Sequence, residues 1–170
     1  MDAAKREILG RLEEGESALH AALAGIDPDI ASARLHPGRW SICEIVEHLA
    51  VSEALLLDRL RQATRSDISH ADPIREARLE SLALNRERRI EAPEPALPTG
   101  SCATLAQALD RFRAVRSATL QFVRDFPSDF RSSLAQHPLI PRPLNCYEML
   151  LLMALHPIRH AAQIAELRQR

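Results

Sequence analysis

Apolar side chains recur every three to four residues over four long stretches of the chain, which is the spacing of helices with one buried face. These stretches predict helices over residues 2–25, 41–63, 101–126 and 144–167. The first has a buried stripe of Ile8, Leu12, Leu19, Leu23 and Ile26. Gly25 and Pro28 end it, and Pro127 ends the third. The stretches 27–39, 64–72 and 128–143 lack such spacing and predict loops. The pattern indicates an all-α protein with four long helices.

A long connection joins the second and third of these helices. Asp72 and Pro73 begin a short extra helix that runs to about residue 90, because aspartate caps a helix and proline suits its first turn. Its arginines alternate with glutamates, which is typical of a solvated face; the alternative is a binding surface for an acidic substrate. These arginines are Arg75, Arg78, Arg86, Arg88 and Arg89. Residues 91–100 hold three prolines and form an extended linker, and so long a connection permits a parallel pair of helices.

Composition and charge narrow the function classes. The 170 residues suit one domain spanning 1–170, and 46% hydrophobic content with only five glycines favours helices. A net charge of −1 gives no electrostatic case for binding nucleic acid or a membrane surface. Three widely spaced cysteines, Cys43, Cys102 and Cys146, predict reduced core thiols in a cytoplasmic protein. No apolar run reaches the length of a membrane span, and the first residues lack a signal-peptide core.

Two histidines stand out in the apolar fourth helix. His156 and His160 are four residues apart, so their side chains are offset by about 40° and about 6 Å along one helix face. That face is mostly apolar, and buried imidazoles need partners, which a metal ion would supply. A chance pair among seven histidines is the alternative. A third ligand is needed to decide between them.

His48 in the second helix is the candidate third ligand. Ser41 and Glu44 form a capping box at the start of that helix, and Trp40 lies just before it. His48 falls on the shoulder of the buried stripe, where it can face a neighbouring helix. Cys43 is the other possible donor, as a fourth ligand or a nucleophile, but it lies on a different face of the helix.

The two histidine motifs carry a family resemblance. The helix start W-S-x-x-E-x-x-x-H-L-A at 40–50, followed by H-x-x-R-H-x-x-Q-I at 156–164, resembles the DinB-like (YfiT-like) superfamily. Pro98-Thr-Gly-Ser, Phe112 with Arg116, and His137-Pro-Leu resemble the family as well. The resemblance implies a four-helix bundle with a three-histidine metal site at His48, His156 and His160. It also implies kinship with thiol-dependent transferases and isomerases. A homodimer is predicted on two grounds: the fourth helix is apolar on nearly every side from Leu150 to Leu155, which suggests burial all round, and members of the resembled family often pair.

The ligand set indicates the metal and the kind of site. Three neutral imidazoles without carboxylate or thiolate favour a divalent zinc or nickel ion over calcium or magnesium, which prefer oxygen. A structural zinc site normally has four protein ligands, so three leave a position for water or substrate. In that position the metal would lower the pKa of a bound water or thiol.

Three residues beside the pair are further candidates. Gln163, one turn beyond His160, is predicted to bind a metal-bound water or to orient a ligand ring; the alternative is a core amide bound to backbone. Arg159 is predicted either to pair with Glu44 or Glu53 or to contact an anionic substrate. Pro157 removes a backbone donor and should bend the helix at the site.

Two function classes follow from this site. The first is a metal-dependent thiol S-transferase that joins a low-molecular-weight thiol to a small electrophile, with a metal-dependent hydrolase as a variant. The second is a non-catalytic metal-binding stress-response protein. An open cleft beside the metal position would favour the enzyme, and an occluded one the binding protein.

Overall fold

The computed structural model of the chain describes residues 2–87 and 90–168. Within that part there are six α-helices: α1 (Ala3–Leu23), α2 (Pro28–Ser32), α3 (Ile42–Arg61), α4 (Pro73–Leu84), α5 (Leu105–Asp125) and α6 (Cys146–Arg168). Three short strands accompany them: β1 (Thr64–Arg65), β2 (Ser133–Ala135) and β3 (Leu144–Asn145). Glu94–Ala96 and Phe130–Ser132 are 3₁₀ turns. The predicted all-α helical bundle is confirmed.

The four predicted long helices correspond to α1, α3, α5 and α6, and side-chain caps explain where they begin. The predicted capping box of Ser41 and Glu44 starts α3, with both reciprocal hydrogen bonds present. A second capping box, of Thr104 and Gln107, starts α5 at Leu105, four residues later than predicted. The Asp72 side chain caps the predicted extra helix, α4, by accepting from the Arg75 backbone N–H.

The structure differs from the sequence prediction at three places. Residues 28–32 form the short helix α2 where a loop was predicted, although Asp27 and Pro28 repeat the Asp-Pro start of α4. Helix α4 ends at Leu84 rather than near residue 90, and Arg88 and Arg89 lie outside the described residues. The predicted loops at 64–72 and 128–143 contribute to a small antiparallel sheet in the order β1-β2-β3.

Helices α3 and α5 run parallel to each other, as the long connection between them permits. Two ion pairs join these helices, and their order is the same along both: Glu47 pairs with Arg111, and further on Glu53 pairs with Arg116. The connection therefore crosses the length of the bundle before α5 begins, and α4 and the 3₁₀ turn at Glu94–Ala96 lie within it.

The core divides into two apolar clusters, one toward each end of the bundle. One joins the first half of α1 and of α6 to the second half of α3, with Leu12, Leu60 and Met149 among its members. The other joins the second half of α1 and of α6 to the first half of α3, with Leu19 and Ile45 among its members. Helices α1 and α6 are therefore parallel to each other, and α3 is antiparallel to both.

A buried ion pair lies at the centre of the bundle. Arg116, only 1% exposed, donates from Nε and Nη2 to the two carboxylate oxygens of Glu53 at 2.8 and 2.6 Å. It also donates to the carbonyl of Leu12 at 2.6 Å and to that of Met153 at 3.4 Å. The last contact has a clear cause, because Pro157 has no N–H to donate to the Met153 carbonyl one turn earlier. Arg116 supplies the missing donor, and α6 remains helical through the proline.

No helix of the described chain has both the length and the apolar content needed to cross a membrane.

Candidate metal centre

The three predicted histidines lie side by side where α3 packs against α6. The Nε2 atom of His156 is 3.3 Å from Nε2 of His48 and 2.9 Å from Nε2 of His160. Residues 48 and 156 are more than a hundred positions apart in sequence, so the fold creates this cluster. The predicted contact between the two histidine-bearing helices is confirmed.

Hydrogen bonds at Nδ1 orient two of the three rings. Nδ1 of His48 donates to the carbonyl of Ala96 at 2.6 Å and has the Ser52 hydroxyl at 3.2 Å. Nδ1 of His160 donates to Oε1 of Gln163 at 2.8 Å. A proton on Nδ1 leaves the Nε2 atom of each neutral ring unprotonated and facing the cluster.

This donor arrangement fits a metal ion better than it fits three imidazoles alone. His156 can offer one N–H from Nε2, which satisfies only one of the two unprotonated nitrogens opposite it. A cation among the three nitrogens satisfies all of them. Zinc–nitrogen bonds of about 2.0–2.1 Å in tetrahedral geometry place two ligand nitrogens about 3.3 Å apart, close to the separations here.

Burial keeps the rings neutral, as metal ligation requires. It lowers the pKa of His48, although the Ala96 carbonyl opposes the shift. Burial, and then the neighbouring imidazoles, hold the pKa of His156 well below its ordinary value. The same two causes, in the same order, lower the pKa of His160 to about 3. Protons therefore compete weakly with a metal at neutral pH.

Glu47 fixes the linker that carries the Ala96 carbonyl. Its buried carboxylate accepts hydrogen bonds from the backbone N–H groups of Gly100 and Ser101, both at 3.0 Å. It also accepts from the hydroxyls of Thr99 at 2.6 Å and Ser101 at 2.7 Å. Sequence patterns do not reveal this structural role of Glu47, because its partners come from a linker without a periodic pattern.

Trp40 completes the surroundings of His48. Its ring lies 4.7 Å from the His48 ring, centroid to centroid, at an angle of 44°. The capping box that begins at Ser41 sets where this residue stands relative to α3. The chain's one tryptophan is thus in contact with a candidate ligand.

Protein groups bind the other candidate residues. Gln163 accepts a hydrogen bond from His160, and of the two roles predicted for Gln163 this contact is the one that orients a histidine ring. Arg159 donates to the carbonyls of Ala83 and Asn85 at the end of α4. Its predicted ion pair with Glu44 or Glu53 is wrong, because those carboxylates pair with Arg34 and Arg116.

The Cys43 thiol donates to the carbonyl of Cys102 at 3.4 Å, and burial raises its pKa.

All three histidines line one cleft with a volume of about 820 Å³. Its walls come from α3, α4, α6, the linker before α5 and the loop that contains His137. Arg159 and Gln163 also line it. Within the described residues, the grouped metal donors are the three histidines, without a carboxylate or thiol among them. The cluster therefore has protein on one side and an accessible cleft on the other.

Comparison with known proteins gives one positive result. The model of one protein family, described as the DinB superfamily, matches residues 11–164. The match covers most of the chain and includes all three clustered histidines. Neither the curated proteins nor the solved structures gave a match.

Proposed function

The chain belongs to the DinB superfamily, and on that premise we propose that it is a metal-dependent thiol S-transferase acting on small electrophiles. His48, His156 and His160 would hold one divalent ion. The neutral nitrogen donors favour zinc or nickel.

The cleft beside the histidines is the observation that supports an enzyme over a binding protein. A site kept only to store or sense a metal gains nothing from a cavity of about 820 Å³ next to its ligands. That volume lies within the range of about 300–1,000 Å³ typical of small-molecule sites. Three protein ligands also leave a coordination position free, as in catalytic rather than structural zinc sites.

The reaction would form a sulfur–carbon bond. A bound divalent ion supplies charge that favours the deprotonated form of a thiol at neutral pH. The thiol gives its proton to solvent, its sulfur bonds to the electrophilic carbon, and the leaving group departs with the electron pair of the bond that breaks. With a Michael acceptor no group leaves: the electron pair of the C=C π bond moves to the α-carbon, which takes up a proton. The residues of the chain hold the site in place: Gln163 and the Ala96 carbonyl orient two rings, and buried helix faces exclude water behind them.

A conjugation assay on metal-replete protein tests this proposal. Low-molecular-weight thiols are combined with a chromogenic aryl halide and with a Michael acceptor, and thioether formation is followed with and without a chelator. We expect turnover that needs both the thiol and the ion, and that is lost in His160→Ala. His20→Ala, on the surface of α1, is the matched control.

Two results would contradict the transferase. Ester cleavage without any thiol would indicate the metal-dependent hydrolase. Metal-replete protein that stays inert with every thiol and electrophile would indicate the non-catalytic binding protein, in which metal removal lowers only thermal stability.

A further inference from the structure

The cleft has an order along α6, from apolar to polar. Leu152, His156, Gln163 and Glu166 line it in turn. With a rise of 1.5 Å per residue, Leu152 lies about 6 Å before His156, and Glu166 lies about 9 Å beyond His160. The histidines are therefore in the middle of the cleft, and the two directions away from them differ in chemistry.

Helices α3 and α4, which line the cleft beside α6, can be placed along the same direction from the apolar end to the polar end. Helix α3 is antiparallel to α6, so the cleft passes from His48 toward Leu55 and Leu56 at the Leu152 end. Helix α4 is parallel to α6, because Arg75 near its start pairs with Glu148 and Arg86 beyond its end pairs with Glu166.

One half of the cleft is therefore apolar and the other polar. The apolar half has aliphatic side chains from four segments of the chain: Leu55, Leu56, Leu79, Ile140 and Leu152. Leu82, three residues after Leu79 on α4, lines the cleft next to them, near the level of the histidines. The polar half contains Arg39, Arg86, Gln163 and Glu166. The metal position lies between them, within reach of a group bound in either half.

The rim of the cleft exposes large apolar side chains to solvent. Leu82 is 42% exposed, Ile90 50%, Leu97 41% and Leu139 47%, and all four line the cleft. They come from α4, the linker and the loop after β2, and they reach the cleft from separate segments of the chain. Apolar side chains left exposed along one groove are typical of a ligand-binding surface.

We propose that the apolar half binds the hydrocarbon part of the electrophile, so that the electrophilic co-substrate is an alkyl or aryl compound and not a small polar one. This inference rests on the proposed function. The occupant is a small molecule because the surface is a concave cleft with the histidines in its middle and a volume in the small-molecule range.

A binding series with uncharged probes tests the inference without catalysis. The probes are 1-butanol, 1-hexanol and 1-octanol, measured on the protein as purified by displacement of an environment-sensitive dye. Neutral alcohols avoid attraction to the arginines of the polar half. We expect Kd to fall about fourfold for each added methylene, which corresponds to about 0.8 kcal/mol per buried CH₂.

Two leucines of α4 supply a matched pair of variants. Leu82 and Leu84 are 42% and 38% exposed, but only Leu82 is among the lining residues. Leu82→Gln should weaken octanol binding about three- to tenfold and flatten the chain-length dependence. Leu84→Gln should bind like the unmodified protein. Equal effects of both variants, or no dependence on chain length, would overturn the inference.

The outcomes separate this inference from the proposed function. Chain-length-dependent binding with no thiol conjugation would refute the transferase and leave the apolar half in place. Conjugation of polar electrophiles alone, without alcohol binding, would support the transferase and refute the binding of hydrocarbon in the apolar half. If no alcohol binds and Leu82→Gln converts a dimer to a monomer, a second copy of the chain covers this rim and the inference is wrong.

Discussion

Two of the three clustered imidazoles are each oriented by a hydrogen-bond acceptor. One of these acceptors can be predicted from the sequence and the other cannot. His160 and Gln163 are three residues apart on one helix, so their contact follows from helix geometry. His48 is bound by the carbonyl of Ala96, which belongs to a proline-rich linker with no periodicity. The three clustered histidines could be predicted from sequence, whereas only one of the two orienting groups could.

Gln163→Leu should weaken metal binding by about 10–100-fold, the usual cost of losing a group that orients a ligand. The reason is that His160 would no longer be held with its Nε2 atom facing the cluster. Competition against a chelator measures the affinity. Gln121→Leu, on the exposed surface of α5, is the control. Unchanged affinity with reduced turnover would instead assign Gln163 to the reacting groups.

Glu47 gives a pH-dependent prediction. Burial of its carboxyl raises the pKa, but the hydrogen bonds from Thr99, Gly100 and Ser101 outweigh burial and lower it below the ordinary value. A lowered pKa in the folded state means that the charged form stabilises the fold. This contribution is complete above the unfolded pKa of about 4.3 and is lost as pH falls through the folded value.

Glu47→Gln should therefore lower the free energy of unfolding at pH 7 by about 1–3 kcal/mol, the range for hydrogen bonds to a buried charge. The difference from the unmodified protein should shrink as the pH falls below about 4.3. Urea denaturation across this pH range measures it, with the exposed Glu13→Gln as control. A deficit that stays constant down to pH 3 would show that the charge of Glu47 is not what matters.

At the scale of elements, the close approach of α1 and α6 depends on one glycine. A Cβ atom at Gly15 would lie 2.3 Å from the carbonyl oxygen of Ala154 on α6 and 3.7 Å from the ring of Pro157. The obstacle is helix backbone, which cannot rotate away. This explains why a glycine occupies the interior of a long helix despite its low helix propensity.

Two alanine substitutions in α1 should have opposite effects. Gly15→Ala should destabilise the protein by at least about 1–3 kcal/mol, because the helices must separate. Gly10→Ala meets nothing within 4 Å and should stabilise it by up to about 1 kcal/mol through helix propensity. Chemical denaturation of both variants measures the difference. Equal stabilities would mean that α1 and α6 are not in contact at Gly15.

The elements that sequence reasoning missed share a physical cause. Strands β1 and β3 have two residues each and β2 has three, too few for an alternating pattern to appear. Helix α2 has five residues, so its Asp27–Pro28 start was the only signal it offered. The long helices were predictable because each repeats its apolar spacing over several turns.

At the scale of the molecule, burial within one chain accounts for the apolar surface of α6. Residues 150–155 look apolar on nearly every side, which suggested a subunit interface. In the structure α1, α3 and α4 pack around this helix, and Leu150, Leu151 and Leu155 are at most 2% exposed. The homodimer prediction now rests on the family resemblance alone.

Light scattering tests the homodimer. With a chain of 19.0 kDa, the prediction is a mass of about 38 kDa, twice the chain, at micromolar concentration. A mass of about 19 kDa would contradict the dimer without affecting the candidate metal site, whose three histidines all come from one chain.

A metal titration followed by the fluorescence of Trp40 tests the central claim most directly, because this ring lies 4.7 Å from the His48 ring. Nickel, or zinc in competition with a chelator, is added to metal-depleted protein, and elemental analysis gives the stoichiometry. We predict one ion per chain, loss of tight binding in His48→Ala and in His160→Ala, and unchanged binding in His20→Ala. Full metal content and affinity in either of the first two variants would contradict the three-histidine site.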